Sequence, residues 1–215
     1  MIRTLHFLGW LLPALLAVQT GWGQSEFSLK AGIEVPRGEL KWVYGPAPGY
    51  SLSFARLTES RGGSTALGTV LGYVRLRPRQ ETFYYLLNAE EYGRARYSDY
   101  HILQFNGQVQ RNHELGKQLA LYWGADFGYY YVTYRYSDHN PYAQTDGSVI
   151  EGRGALSPKA GLTLMLGEKW GLLCQSKYTG YFSLGSTDAG SADYNPSVGA
   201  VHFLWSNQLG FFVRL

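Results

Sequence analysis

VHFLWSNQLGFFVRL, residues Val201 to Leu215, is the stretch on which the reading of the whole chain turns. Every second position gives Val201, Phe203, Trp205, Asn207, Leu209, Phe211, Val213 and Leu215, apolar at seven of eight places. The interleaved set, His202, Leu204, Ser206, Gln208, Gly210, Phe212 and Arg214, is far more polar. Successive side chains of a strand point to opposite faces, so this period of two predicts one greasy and one wet face. Strands of soluble domains are mostly about 5–6 residues long. An amphipathic strand of this length with aromatics on its greasy face suits the closing strand of a transmembrane β-barrel.

The same alternation recurs upstream. Phe27 to Val35 alternates with Glu26, Ser28, Lys30, Gly32 and Glu34, and a second strand covers about 50–57. A third, about 65–77, has no clean face, and Arg75 is assigned inward there. The fourth and fifth, about 98–111 and 118–135, set Leu103, Phe105, Val109, Trp123 and Phe127 against Gln104, Asn106, Gln108, Gln110 and Asp126. The sixth and seventh, about 154–166 and 170–183, carry Lys159 and Lys177 on their wet faces. Phe83–Leu87 reads as a short extension within the loop 78–97. Tyr136–Arg153 reads as a polar loop, with turn signals at Asn140-Pro141 and Asp146-Gly147.

Eight strands therefore follow one another, joined alternately by long loops (36–49, 78–97, 136–153, 184–196) and short turns (58–64, 112–117, 167–169). That alternation predicts an all-β, eight-stranded antiparallel up-and-down transmembrane barrel with turns at one rim and loops at the other. Tyrosines gather at the long-loop ends, namely Tyr44, Tyr50, Tyr97, Tyr100, Tyr129, Tyr130, Tyr131, Tyr134 and Tyr136. They are expected to form an interfacial aromatic girdle, with Phe27, Trp170 and Phe211 at the opposite rim.

Composition agrees. Of 215 residues, 18 are Tyr, 10 Phe, 6 Trp and 27 Gly, and charged residues make up 16% against roughly 25% in an average soluble domain. The formal charge of +3 is too small and dispersed to argue for nucleic acid. One cysteine, Cys174, excludes an intrachain disulfide and a cysteine-built metal cluster. Residues 1–23 read as a secretory signal peptide: Arg3, an apolar run from Phe7 to Val18, then Gly21 and Gly23 before cleavage at Gln24. The apolar run is too short to span a bilayer, which takes about 20 residues.

These features resemble the small eight-stranded outer-membrane β-barrel proteins of Gram-negative bacteria. Cleavage before Gln24, the Tyr-rich strands and the ending Phe211-Phe212-Val213-Arg214-Leu215 are most similar to barrels of the Bacteroidetes. The family's insertion signal usually ends in an aromatic residue, and this chain departs from it at Leu215. The resemblance implies a barrel domain over 24–215 in the outer membrane, with outer-membrane lipids and the barrel-assembly machinery as partners.

No catalytic set, cofactor or metal site emerges. His101 and His113 sit at a strand end and in a turn, while Asp138-His139-Asn140 is one histidine beside one aspartate. Asp188 and Asp193, in the last loop, read as a solvated turn rather than a calcium site. His202 falls on the wet face, and its surroundings lack the His-x-Ser pattern of lipid A deacylases. Glu26, Lys30, Glu34, Arg75, Asp126, Lys159, Lys177 and Arg214 all fall on the wet faces as assigned. An eight-stranded barrel is just wide enough for side chains to fill. Charges buried there must be paired, so a lumen charge network of Lys30, Glu34, Asp126, Lys159, Lys177 and Arg214 is expected, centred on Asp126 with Lys159 or Lys177.

The functional expectation is a non-enzymatic barrel with a plugged lumen and a structural or binding role at its long loops, toward an unidentified ligand or envelope protein. Three alternatives are carried: a narrow solute channel, a lipid-modifying enzyme, and a secreted soluble lipocalin-like barrel. The sequence leaves the oligomeric state open.

Overall fold

In a computed structural model, which describes residues 24–60, 63–87, 91–183 and 201–215, the last strand pairs with the first. Strand β1 (Gln24–Arg37) runs antiparallel to β10 (His202–Arg214) from Glu26↔Arg214 to Arg37↔Phe203 without a slip. Backbone bonds from Ser25 N to Leu215 O (3.2 Å) and from Leu215 N to Ser25 O (2.8 Å) extend the seam to the end of the chain. Because the register is regular through Ile33↔Asn207 and Asn207↔Ser176, no bulge turns Asn207 inward. Its amide stays among the apolar outward positions.

The remaining barrel strands are β2 (Ala47–Ser60), β3 (Gly63–Leu76), β6 (Tyr100–Glu114), β7 (Leu119–Asn140), β8 (Ala143–Met165) and β9 (Trp170–Ser183). Each pairs antiparallel with its neighbours, and β7 with β8 closes the ring, so eight strands form a closed barrel. Closure removes the free edges that lipid could not satisfy. Strands β4 (Phe83–Leu86) and β5 (Tyr92–Tyr97) form a hairpin whose β5 continues along β7 beyond the end of β6.

Two sequence expectations fail here. The stretch 136–153 is not a loop: β7 and β8 pair all the way to Asn140↔Ala143, leaving Pro141-Tyr142 as the tip. This part of the hairpin is polar on both faces, so it lacks the apolar alternation by which a strand is recognised. The Asn140-Pro141 signal marks the turn, whereas Asp146-Gly147 lies inside a strand. Arg75 points outward, not inward, since Ala66, Val70, Val74 and Leu76 on the alternate face of β3 are the buried ones.

Apolar side chains face out around the ring. Leu29, Ile33, Trp123, Phe127, Leu156 and Leu209 are all more than half exposed, Leu209 reaching 71%. On β7 the outward run goes from Leu119 to Tyr131, twelve residues apart. At about 3.3 Å per residue and a tilt near 40°, that is a band roughly 30 Å tall, the thickness of a hydrocarbon core. Among the described residues no helix is long and apolar enough to cross a membrane. Residues 1–23 and the last loop, with Asp188 and Asp193, lie outside the described residues.

Candidate functional site

The inward positions form two layers. The layer toward the short turns is polar. Asp126 of β7 is 1% exposed, and Lys159 Nζ approaches its Oδ1 at 2.6 Å while donating to Gln108 Oε1 at 2.8 Å. Lys177 Nζ lies 3.9 Å from the other carboxylate oxygen. A second chain of bonds runs Tyr122 OH to Gln175 Oε1 (3.3 Å), Gln175 Nε2 to Gln208 Oε1 (3.4 Å) and Gln208 Nε2 to Glu34 Oε1 (3.0 Å). Ser206 donates to the same Glu34 carboxylate.

Glycines make room for these groups. A Cβ on Gly161 would come 2.5 Å from the Tyr122 ring, and one on Gly49 would come 2.5 Å from the Glu34 side chain. The high glycine content therefore has a steric reason inside so narrow a barrel.

The six expected network residues do not form one network. Asp126, Lys159 and Lys177 meet. Glu34 is held by Ser206 and Gln208, and Arg214 pairs with Glu26 at 3.0 Å near the short-turn rim. Lys30, 3% exposed, makes no hydrogen bond or ion pair with any described residue. Strand register explains the split, because Arg214 sits opposite Glu26 at the far end of the β1–β10 ladder from Glu34 and Ser206.

The layer toward the long loops is apolar and aromatic. Leu40, Tyr44, Val74, Leu76, Tyr100, Ile102, Tyr130, Val132, Tyr134, Ala155, Tyr181 and Leu204 pack into one buried cluster. Tyr100 and Tyr134 stack at 5.2 Å between ring centres, and Tyr130 meets Tyr181 at 5.5 Å. A short helix, α1 (Leu40–Val43), brings Leu40 and Tyr44 over the mouth. Tyr100 therefore departs from the outward girdle expected for it; it faces the lumen at 2% exposure. Parity along β6 requires this, since Ile102 and Gln104 share its face. Tyr50, Tyr131, Trp170 and Phe211 do point outward, and Tyr129 lies between Tyr131 and Phe127 on the outward face of β7.

The sequence reading ends a loop at Arg153 and so misses its role. Its side chain is fully buried, paired with Glu151 and lying 5.6 Å over the Tyr181 ring. The signal is present, since Arg153 shares parity with Lys159 on β8.

Beyond the aromatic plug, the β4–β5 hairpin and the upper halves of β7 and β8 make a protruding sheet. Its inner side carries Tyr85, whose hydroxyl donates to Asp138 at 2.5 Å. Its outer side carries Arg94 and Arg96 from β5, Arg135, Ser137 and His139 from β7, and Asp146 and Ser148 from β8. An open recess of about 570 Å³ lies between Arg96 and Arg135, bordered by Ser98, Ser137, Asp146 and Ser148.

Ser137 Oγ and His139 Nδ1 are 3.3 Å apart in this sheet, a Ser-x-His contact. The Asp146 carboxyl is held below its ordinary range by hydrogen bonds from Ser137 and from Gln144. That wiring ties the carboxylate to the hydroxyl rather than to the imidazole. A nucleophilic relay needs the acid to orient the base instead. Among the described residues no cluster of three or more metal-ligating side chains is present.

No protein-family model matches the chain, and neither does any curated protein. Solved structures do resemble it. Neisserial surface protein A aligns over 90% of this chain and 98% of its own at 13% identity, TM-score 0.47. Ail of Yersinia pestis, in complex with the heparin analogue sucrose octasulfate, aligns over 91% and 100% at 11% identity, TM-score 0.47. A major outer membrane protein from Thermus thermophilus aligns over 89% and 99% at 14% identity, TM-score 0.47. These are outer-membrane barrels, and the likeness concerns the barrel plan alone.

Proposed function

We propose that the chain is an integral outer-membrane β-barrel of a Gram-negative bacterium. In this reading it is exported by its N-terminal signal peptide and inserted by the barrel-assembly machinery. Its lumen is closed, and its role is a non-enzymatic, structural or binding one exercised by the sheet that protrudes from the long-loop rim. The observation that carries the reading is the inversion of sidedness: buried charges and amides inside, and outside an apolar band with Asn207 as a polar interruption. Soluble monomers rarely expose apolar patches beyond a few hundred Å². A secreted lipocalin-like barrel would carry the opposite arrangement.

The closed lumen is supported by the aromatic plug, which fills the cross-section on the long-loop side of the Asp126 layer. Against a lipid-modifying enzyme stands the placement of Ser137 and His139. They lie six and eight residues beyond Tyr131, which at the same rise and tilt is about 15–20 Å above the apolar band, out of reach of acyl esters.

Heat-modifiable migration of the protein refolded into lipid, together with fractionation of cells, tests the membrane assignment. Recovery in a soluble fraction would overturn it. Planar-bilayer recording tests the closed lumen, and steady large conductance steps would exclude a plug.

A further inference from the structure

Inside the polar layer the charges do not balance. Lys30, Lys159 and Lys177 bring three buried ammonium groups, against the two buried carboxylates of Asp126 and Glu34. The neighbouring pairs Arg214–Glu26 and Arg153–Glu151 are neutral within themselves. One positive charge is left over, and Lys30 carries it. Lys159 and Lys177 turn to Asp126, while Lys30 makes no hydrogen bond or ion pair with any described residue. The Glu34 carboxylate is taken by Ser206 and Gln208. A buried ammonium without a counter-charge is among the most costly groups to enclose.

A second group at the same level is unsatisfied. Asn106 is 5% exposed, and both its amide nitrogen and its amide oxygen lack a hydrogen-bond partner. It shares the inward face of β6 with Gln108, which accepts from Lys159, so it stands at the height of the Asp126 cluster. Lys30 reaches this height from β1. Strand pairing leads from Lys159 to Gln24 through β7, β6, β3 and β2, and to Glu34 through β9 and β10. Because barrel strands are tilted, the position of β1 level with Lys159 falls between Gln24 and Glu34, where Lys30 sits.

Between Lys30 and Asn106 run β2 and β3, and the inward residues they present there are short. Ser51 is the ladder partner of Lys30, and Val70 is that of Asn106. Both are buried. Lys30 and Asn106 therefore border one corner of the lumen, each with an unused N–H donor.

We propose that Lys30 and Asn106 hold one monovalent anion of chloride size in this corner. The ammonium supplies the counter-charge and the amide N–H a directed donor, which is what an enclosed halide needs in place of water. A single negative charge matches the single excess positive one, whereas a doubly charged sulfate would leave the layer negative. The proposal rests on the closed lumen and goes beyond it.

The test uses the full mature chain refolded into phosphatidylcholine vesicles at constant ionic strength, with chloride, bromide or gluconate as the anion. Insertion and closure are scored first, by heat-modifiable migration and bilayer conductance. Urea unfolding then gives the folding equilibrium constant. It is expected to rise about tenfold for each tenfold rise in chloride or bromide once the site is filled, because a ligand held only by the folded state adds that factor. Gluconate, too large for the corner, should have no such effect. Lys30→Met and Asn106→Leu should lose the halide dependence, and Lys117→Gln, at an exposed turn, should keep it. Bromide anomalous scattering from crystals of the parent should place one ion between Lys30 and Asn106, a readout that needs no variant to fold.

Equal halide dependence in the parent and in Lys30→Met would assign the effect to surface ions and overturn the proposal. So would the absence of both halide dependence and a bromide peak, the behaviour of a Lys30 enclosed as the neutral amine. A parent that conducts steadily overturns the closed-lumen reading, and the enclosed site with it.

Discussion

Lys159 and Lys177 stand directly opposite one another across β8 and β9, both inside the barrel, and both turn toward the carboxylate of Asp126. Like charges facing each other across a ladder repel, so Asp126 is what makes this register tolerable. Replacing it with Asn leaves two buried ammonium groups without their acid. Removal of one partner of a buried pair costs about 3–5 kcal/mol. Asp126→Asn is expected to lose that much in urea unfolding of the refolded barrel. Asp126→Leu combined with Lys159→Met and Lys177→Met should recover most of it. A single variant as stable as the parent would show that the pair is not buried in lipid-embedded protein.

The aromatic layer makes a separate, electrical prediction. Tyr100, Tyr130 and Tyr181 occupy the lumen cross-section with almost no exposed surface. Tyr100→Ala with Tyr181→Ala removes two rings from one cross-section. Single aromatic truncations in a core cost about 3–5 kcal/mol, so the double variant needs refolding in stabilising lipid. It should show discrete conductance steps in a planar bilayer where the parent shows none. Silence in both would place the barrier in the polar layer below instead.

Much of this architecture is legible in the sequence because one physical rule dominates a membrane barrel. Period-two alternation fixes sidedness, and it places Lys30, Glu34, Asp126, Lys177, His202 and Gln208 correctly on the inner face. The failures share a cause. Tyrosine suits both an interfacial girdle and a plug, so residue type alone does not separate Tyr100, which is inside, from Tyr131, which is outside. On β3 both faces are apolar, which puts Arg75 on the wrong one. Beyond the membrane neither face of β7 or β8 needs to be greasy, so the alternation fades. The Arg96–Arg135 recess is built there by pairing between distant strands, which no local pattern announces.

Outward positions near the middle of the band should respond as a lipid-facing surface does. Leu209→Arg is expected to destabilise the inserted barrel by about 2–4 kcal/mol, the cost of arginine near a bilayer midplane. At a surface position of a soluble protein the same change is usually within about 0.5 kcal/mol. Asn207, two residues away on the same face, gives the opposite sign: its amide has no partner among the described residues. Asn207→Leu should therefore stabilise the barrel, by on the order of 1 kcal/mol. Equilibrium unfolding in lipid vesicles measures both, and a neutral Leu209→Arg would sink the membrane assignment.

The protruding β7–β8 hairpin is the last element whose role can be separated from the fold. Ring closure by these strands runs from Leu119↔Leu164 to Thr133↔Ile150, and everything beyond serves the protruding sheet. Deleting 137–146 and joining Tyr136 to Gly147 through an Asn-Gly turn keeps that register, because Tyr136 and Gly147 are already opposite partners. An Asn-Gly pair is the favoured two-residue connection of antiparallel strands. The shortened chain loses Ser137, His139 and Asp146 along with the partner of β5. It is expected to fold, insert and migrate heat-modifiably like the parent, with the β4–β5 hairpin becoming protease-sensitive. Failure to insert would mean that the extension helps build the barrel, and the separation of scaffold from surface would fall.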